Sequence, residues 1–188
     1  MVAEESKALS YEHIQDIINN ISDLRLQAII AAQYSLAARA GELIQYPHTN
    51  GIQTQGLLKS NIEKRNGLLI CTIPNFKNSK QPFKKPYITK DEPFLYKPFK
   101  KWLQECQEQV FDLKISRYRE LVSTILPEGY ASHSLRHSRA THLVEQFKFN
   151  AYEIKQFLGH ASLDTSSIYV QQDLSRTANK IKQKKEEK

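Results

Sequence analysis

Apolar residues recur at helical spacing near the start of the chain. Ser10 precedes Ile14, Ile17, Ile18 and Ile21, and Ser22 precedes Leu26, Ile29, Ile30 and Tyr34. Each serine is placed to cap a helix whose apolar stripe returns every three or four residues, so the pattern predicts two paired amphipathic helices. A short helical segment with Glu42, Leu43 and Ile44 follows and ends before Pro47, and the polar run at 48–56 reads as a loop. The period then changes. Residues 68–73, LLICTI, are apolar and partly β-branched, and Tyr87-Ile88-Thr89 suggests a partner strand, so the two form a hairpin with a long turn. From Phe94 a helical period resumes through Leu95, Phe99, Trp102, Leu103, Cys106 and Val110, and Ile115, Tyr118, Leu121, Val122 and Ile125 extend it. Pro127 and Gly129 break the chain. Another helical block runs from Leu135 to Phe147, and Asn150 with Glu153 three residues on marks a further helix start. The fold class expected is α+β and mainly α, one helical domain with a small antiparallel β-sheet.

Composition narrows the partner. The chain has 188 residues, 40% hydrophobic and 25% charged, as expected of one globular domain. Lys and Arg number 27 against 20 Asp and Glu, a net charge of +7, which favours a polyanion. The charge is also local. Residues 76–101 hold eight lysines against Asp91 and Glu92, and five of the seven prolines fall between 74 and 98. This stretch is expected to be extended and exposed, an arm on which Lys80, Lys84 and Lys85 face phosphates.

Several functions are made improbable by what is missing from the sequence. The six glycines stand alone, so no P-loop or dinucleotide fingerprint can be written. Cys71 and Cys106 cannot build a disulfide framework or a zinc site and read as buried thiols. No apolar run is long enough for a membrane span, and the first ten residues lack the core of a secretion signal, so a soluble, intracellular protein is expected, cytoplasmic or nucleoid-associated. His133 and His137 stand four apart as zinc ligands can, but Ser134 occupies the place where a metalloprotease needs Glu and Arg136 would set a cation beside the metal. No metal and no cofactor is expected.

The most specific text is SHSLRHSRATHL at 132–143 followed by FLGHASLDTSSIYV at 157–170. It resembles the catalytic domain of tyrosine recombinases, the phage integrase family, whose hallmark is His-x-x-Arg, then Leu-Gly-His, then a nucleophilic tyrosine nine residues beyond. His133, Arg136, His160 and Tyr169 fit that pattern. ARAGEL at 38–43 is similar to the family's first-arginine motif, which implies Arg39 as the second half of an arginine clamp and Glu42 as its supporting acid. The resemblance implies the DNA breaking-rejoining fold and a lysine on the hairpin turn that protonates the leaving oxygen. Lys77 is the candidate and Lys80 the rival. Where a Thr-Gly pair commonly precedes the arginine, this chain has Ala37-Ala38, so the local turn is expected to differ.

The same residues make chemical sense without the family. A phosphodiester's transition state gathers charge on its nonbridging oxygens, and arginine's planar fork makes bidentate bonds to them while staying ionised. Two arginines can take the place of a metal ion. Tyrosine is a weak nucleophile at an ordinary pKa of about 10, and neighbouring arginines and a histidine hydrogen bond favour its phenolate. The implied product is a 3′-phosphotyrosine with a free 5′ hydroxyl, formed without ATP. Three readings stay open: a site-specific recombinase on double-stranded DNA, a relaxing type IB topoisomerase, and a silent DNA-binding module of the same fold. By the same resemblance the protein is monomeric when free and tetrameric on DNA. Residues 1–173 are expected to form the catalytic domain. Residues 174–188 are expected to form a Lys-rich tail able to pack on a neighbour, and with only 38 residues ahead of Arg39 the family's helical core-binding domain is expected to be absent. His137 and His142 are read as packing or supporting groups.

Overall fold

The computed structural model describes residues 8–47, 53–76 and 80–161, with side chains omitted at 46–47 and 53–54. Among these residues seven helices surround small antiparallel sheets, the mainly helical α+β class expected from the period changes. Helices α1 (Tyr11–Asn19) and α2 (Leu24–Ser35) come first. Ser10 caps α1 by accepting from the His13 amide at 3.1 Å. The cap of α2 is Asp23, accepting from the Leu26 amide at 2.7 Å, one residue beyond the serine that sequence favoured. A carboxylate at that position also suits the positive end of the helix dipole.

Helix α2 is the centre of the molecule. Every residue from Ala28 to Ser35 is buried, because α2 packs against α1, against α4 (Pro93–Glu105) and against α6 (Ser132–Glu145). Its alanines at 28, 31 and 32 allow close approach, and Ile29, Ile30 and Tyr34 fill the core; complete burial contributes about 1.5–3 kcal/mol for each such aliphatic side chain.

The short α3 (Ala40–Leu43) follows, then β1 (Tyr46–Pro47) and β2 (Gln53–Thr54), which pair. Strand β3 (Ile62–Arg65) pairs with β4 (Leu68–Cys71), and β4 pairs with β7 (Tyr87–Thr89) in the register Leu69 to Ile88. The β4–β7 pairing is the hairpin that the apolar runs predicted. The β3–β4 hairpin was missed, although Asn66-Gly67 announced it: both take positive φ, 48° and 79°, the conformation of a tight two-residue hairpin turn. At the base of the long turn β5 (Ile73–Pro74) pairs with β6 (Phe83–Lys84).

Two expectations are corrected. The helical period from 94 to 125 is not continuous: α4 ends at Glu105 and α5 spans Ile115–Ile125. Between them the backbone leaves the helix to pair with the 57–59 segment, Val110 N–H donating to the Leu57 carbonyl and Lys59 N–H to Glu108, which buries Val110 and Phe111. Nor is the stretch 76–101 extended and exposed throughout. Pro93 begins α4, and Lys84 is among the most buried side chains of the protein. A second, smaller core joins Ala37, Ala140, Leu143, Ile154, Phe157 and Leu158, fastening α7 (Ala151–Leu158) against α6. Cys71 and Cys106 are buried free thiols.

Candidate active site

The first arginine is placed by a turn. Ala37 closes α2 at φ +44°, its amide and that of Ala38 donating to the Tyr34 and Gln33 carbonyls at 3.0 Å. The left-handed turn is therefore made without glycine. Arg39 then starts α3 in extended conformation, and Glu42 folds back on it: Oε2 accepts from the Arg39 amide at 2.8 Å and Oε1 from Arg39 Nη1 at 2.7 Å. Arg39 keeps 22% of its side chain exposed, whereas Glu42 is sealed. On the sealed side Lys84 Nζ sits 2.8 Å from Glu42 Oε2, with no exposure of either side chain.

The second arginine comes from α6. His133 stands exposed in its first turn, and Arg136, three residues on, is buried. Arg136 Nη1 donates to the Ala37 carbonyl, the group aimed by the left-handed turn, and Nη2 donates to the Leu158 carbonyl at 3.2 Å. Nη2 also lies 3.3 Å from His160 Nε2. Arginine has no acceptor, so Nε2 carries the lone pair and the imidazole proton resides on Nδ1.

His160 is delivered by a helix end. Asn150 caps α7, accepting from the Tyr152 and Glu153 amides at 3.0 Å while Glu153 Oε2 accepts from the Asn150 amide, as the spacing predicted. Gly159 terminates α7 at φ +71°, and a Cβ there would lie 2.5 Å from Asn75 Nδ2. Glycine is required on both counts. Asn75 Nδ2 donates to the Gly159 carbonyl at 2.8 Å, and Lys84 Nζ lies 3.4 Å from the Leu158 carbonyl.

The electrostatics follow from this packing. Burial alone would raise the Glu42 pKa, but Lys84, Arg136 and Arg39 outweigh it and hold the carboxyl below its ordinary value. Burial pushes Lys84 down to about 7, helped by Arg136 and Arg39 and opposed by Glu42. His160 is pushed down to about 4 by burial and then by Arg136, Arg39 and Lys84, which makes it neutral at pH 7. Two arginines and a lysine thus bear on one carboxylate, an arrangement suited to a further anion.

Of the residues singled out in the sequence, Arg39, Glu42, Arg136 and His160 come together, with His133 on the same helix start as Arg136. Lys77 and Tyr169 lie outside the described residues, as does the 174–188 tail. Lys80 and Lys85 are exposed. Lys84, expected to face phosphates, instead faces Glu42 in the interior. The signal was present: 84, 86 and 88 share one face of an extended chain, and the apolar Ile88 of the expected strand is buried on that face. Asn75 was missed altogether. His142 is a packing residue, its Nδ1 2.7 Å from the Tyr34 hydroxyl. No group of three His, Cys, Asp or Glu side chains placed to hold a metal ion occurs among the described residues.

The family model described as "Phage integrase family" matches residues 7–176, nearly the whole chain. The chain belongs to the phage integrase family. Among curated relatives of this integrase-family chain, the tyrosine recombinase XerC of Rickettsia prowazekii (strain Madrid E) is 29% identical over 170 residues, covering 87% of this chain and 52% of the relative. XerC of Rickettsia bellii (strain OSU 85-389) is 25% identical over 173 residues, covering 89% and 54%. The chain thus spans about half the length of the curated relatives it matches. The XerH site-specific recombinase, solved bound to its difH substrate before cleavage, shares the fold with a TM-score of 0.67 at 22% identity, covering 93% of this chain and 53% of XerH. The catalytic domain of bacteriophage HP1 integrase aligns with a TM-score of 0.59 at 19% identity, with 88% of each chain covered. No helix of the described residues is long and apolar enough to cross a membrane.

Proposed function

We propose that this chain is the catalytic domain of a site-specific DNA recombinase that cuts and rejoins strands through a 3′-phosphotyrosine. The observation that carries the reading is the convergence of Arg39, Arg136 and His160 on one centre where positive charge exceeds negative. A scissile phosphate supplies the missing anion. Arg39 and Arg136 hold its nonbridging oxygens and stabilise the charge that develops there, so the step is written without a divalent ion. His160, neutral at pH 7, and the exposed His133 contribute hydrogen bonds. Tyr169 attacks phosphorus, the bond to the 5′ oxygen breaks, and Lys77, with Lys80 as rival, protonates the leaving oxygen. The ester is exchanged rather than hydrolysed, so a second 5′ hydroxyl reverses the step with no ATP.

The partner proposed is double-stranded DNA, bound by a monomer that assembles into tetramers on full sites, with exposed lysines such as Lys80 and Lys85 on backbone phosphates. Each phosphate neutralised steepens the fall of log affinity with log salt by about 0.9. The test uses a pool of nicked duplexes of random sequence in EDTA, resolved on a denaturing gel. A covalent protein-DNA band that Tyr169→Phe abolishes is expected. DNA binding with no adduct from any member of the pool would overturn the reading in favour of a silent binding module, and plasmid relaxation without strand exchange would replace it with a topoisomerase.

A further inference from the structure

A buried lysine and a buried asparagine, neither of them part of the His-x-x-Arg and Leu-Gly-His text, connect the hairpin to both halves of the site. Lys84 ends β6 and Asn75 directly follows β5, so the two stand at the base of the same turn. From there Lys84 Nζ reaches Glu42 Oε2 at 2.8 Å and the Leu158 carbonyl at 3.4 Å, and Asn75 Nδ2 reaches the Gly159 carbonyl at 2.8 Å. Glu42 is the carboxylate that holds Arg39, and the Leu158 carbonyl also accepts from Arg136 Nη2. One ammonium therefore contacts the group that orients the first arginine and the backbone oxygen shared with the second, one residue before the glycine that aims His160.

Such placement is costly to maintain without a use. An aliphatic side chain of similar volume would fill the space with no charge to desolvate, and buried ion pairs are often neutral or unfavourable for stability compared with apolar replacements. What an apolar residue cannot do is fix three elements, α3, β6 and the end of α7, at one point through directional bonds. We infer that Lys84 is a positioning residue of the strand-transfer site: it sets Arg39 through Glu42 and sets His160 through the Leu158 carbonyl, and so couples the seating of the hairpin to the geometry of the phosphate clamp. Asn75 is the second tie, and the inference rests on the function proposed above.

The test compares Lys84→Met, Lys84→Gln and Lys84→Arg in the full 188-residue chain, using single-turnover cleavage of a suicide duplex recovered from the random pool. Misplacing clamp groups by an ångström costs up to about a hundredfold in rate, so Lys84→Met is expected to lower the cleavage rate constant about 10- to 100-fold. The amplitude of the reaction and the half-saturating DNA concentration stay within about threefold, because exposed phosphate contacts are untouched. A residue needed only for folding would lower the amplitude and leave the rate constant unchanged. Lys84→Arg, which keeps the charge, recovers most of the rate; Lys84→Gln, which keeps a donor without the charge, does not, and it replaces the methionine variant should that fail to fold. A rate constant within twofold of wild type in a folded, uncharged variant would overturn the assignment. Hydrogen exchange decides it independently of activity. The Gly159 and His160 amides, both bonded to the Lys155 carbonyl, should exchange about tenfold faster in the folded uncharged variants while α2 amides are unchanged. If wild type forms no adduct, the strand-transfer reading falls on its own, and unchanged exchange at 159 and 160 would overturn the positioning role.

Discussion

Replacing Gly159 by alanine perturbs the end of α7 in two separable ways. The residue sits at φ +71°, where an L side chain is strained by about 1–2 kcal/mol. The added Cβ would also stand 2.5 Å from Asn75 Nδ2, so the amide must retreat by about 0.9 Å to reach ordinary contact at 3.4 Å. That retreat breaks its 2.8 Å bond to the Gly159 carbonyl. Asn75 is buried, so the retreat takes its Nδ2 donor away from the carbonyl that satisfies it, and a buried polar group left unsatisfied costs about 1–3 kcal/mol. Alanine restricts the unfolded chain and returns about 0.4–1 kcal/mol. The net loss expected is about 2–4 kcal/mol, a fall of roughly 5–15 °C in Tm for a chain of this size. Urea unfolding of wild type, Gly159→Ala, Asn75→Ala and the double variant separates the two parts. Once Asn75 is cut back, Gly159→Ala should cost only the backbone strain, leaving a coupling of about 1–3 kcal/mol between the positions. A Gly159→Ala protein within 0.5 kcal/mol of wild type, or a cycle with no coupling, would refute the contact and the role given to this glycine.

Other expectations follow from neighbouring contacts. An NMR titration should find the His160 imidazole ionising near pH 4; because its folded value lies below the unfolded value of about 6.5, its contribution to stability is complete above that pH and is lost as pH falls toward 4. An ordinary titration near 6.5 would remove the cations from its surroundings. Arg139, three residues after Arg136, is a structural counterpart: it makes two 2.6 Å bonds to buried Glu92 and lies 5.2 Å from the ring centroids of Tyr34 and Phe147. Arg139→Met strands a buried carboxylate and should cost about 3–5 kcal/mol in denaturant melts, whereas Arg139→Met with Glu92→Leu should recover most of that. Deleting residues after 173 should leave adduct formation intact and abolish tetramers on full sites in sedimentation; unchanged assembly would refute exchange of the tail.

What could be read along the chain is what neighbouring residues decide among themselves. Helical periods, the Ser10 and Asn150 caps and the Arg39-x-x-Glu42 bracket depend on groups no more than four residues apart, and these were legible or nearly so, whereas the equally local left-handed stop at Gly159 was not read. Asn66-Gly67 belonged to the same class and went unread. Tertiary structure decided everything that needed distant partners. It drew 108–110 out of a helical period to bond 57–59, and it turned Lys84 inward because Glu42, forty-two positions earlier, awaited it there. It also separated two buried arginines on one helix, giving Arg136 to the carbonyls beside His160 and Arg139 to Glu92. A spacing of three does not put them on opposite faces; what distinguishes them is which side chain from elsewhere in the chain each one meets, and only packing determines that.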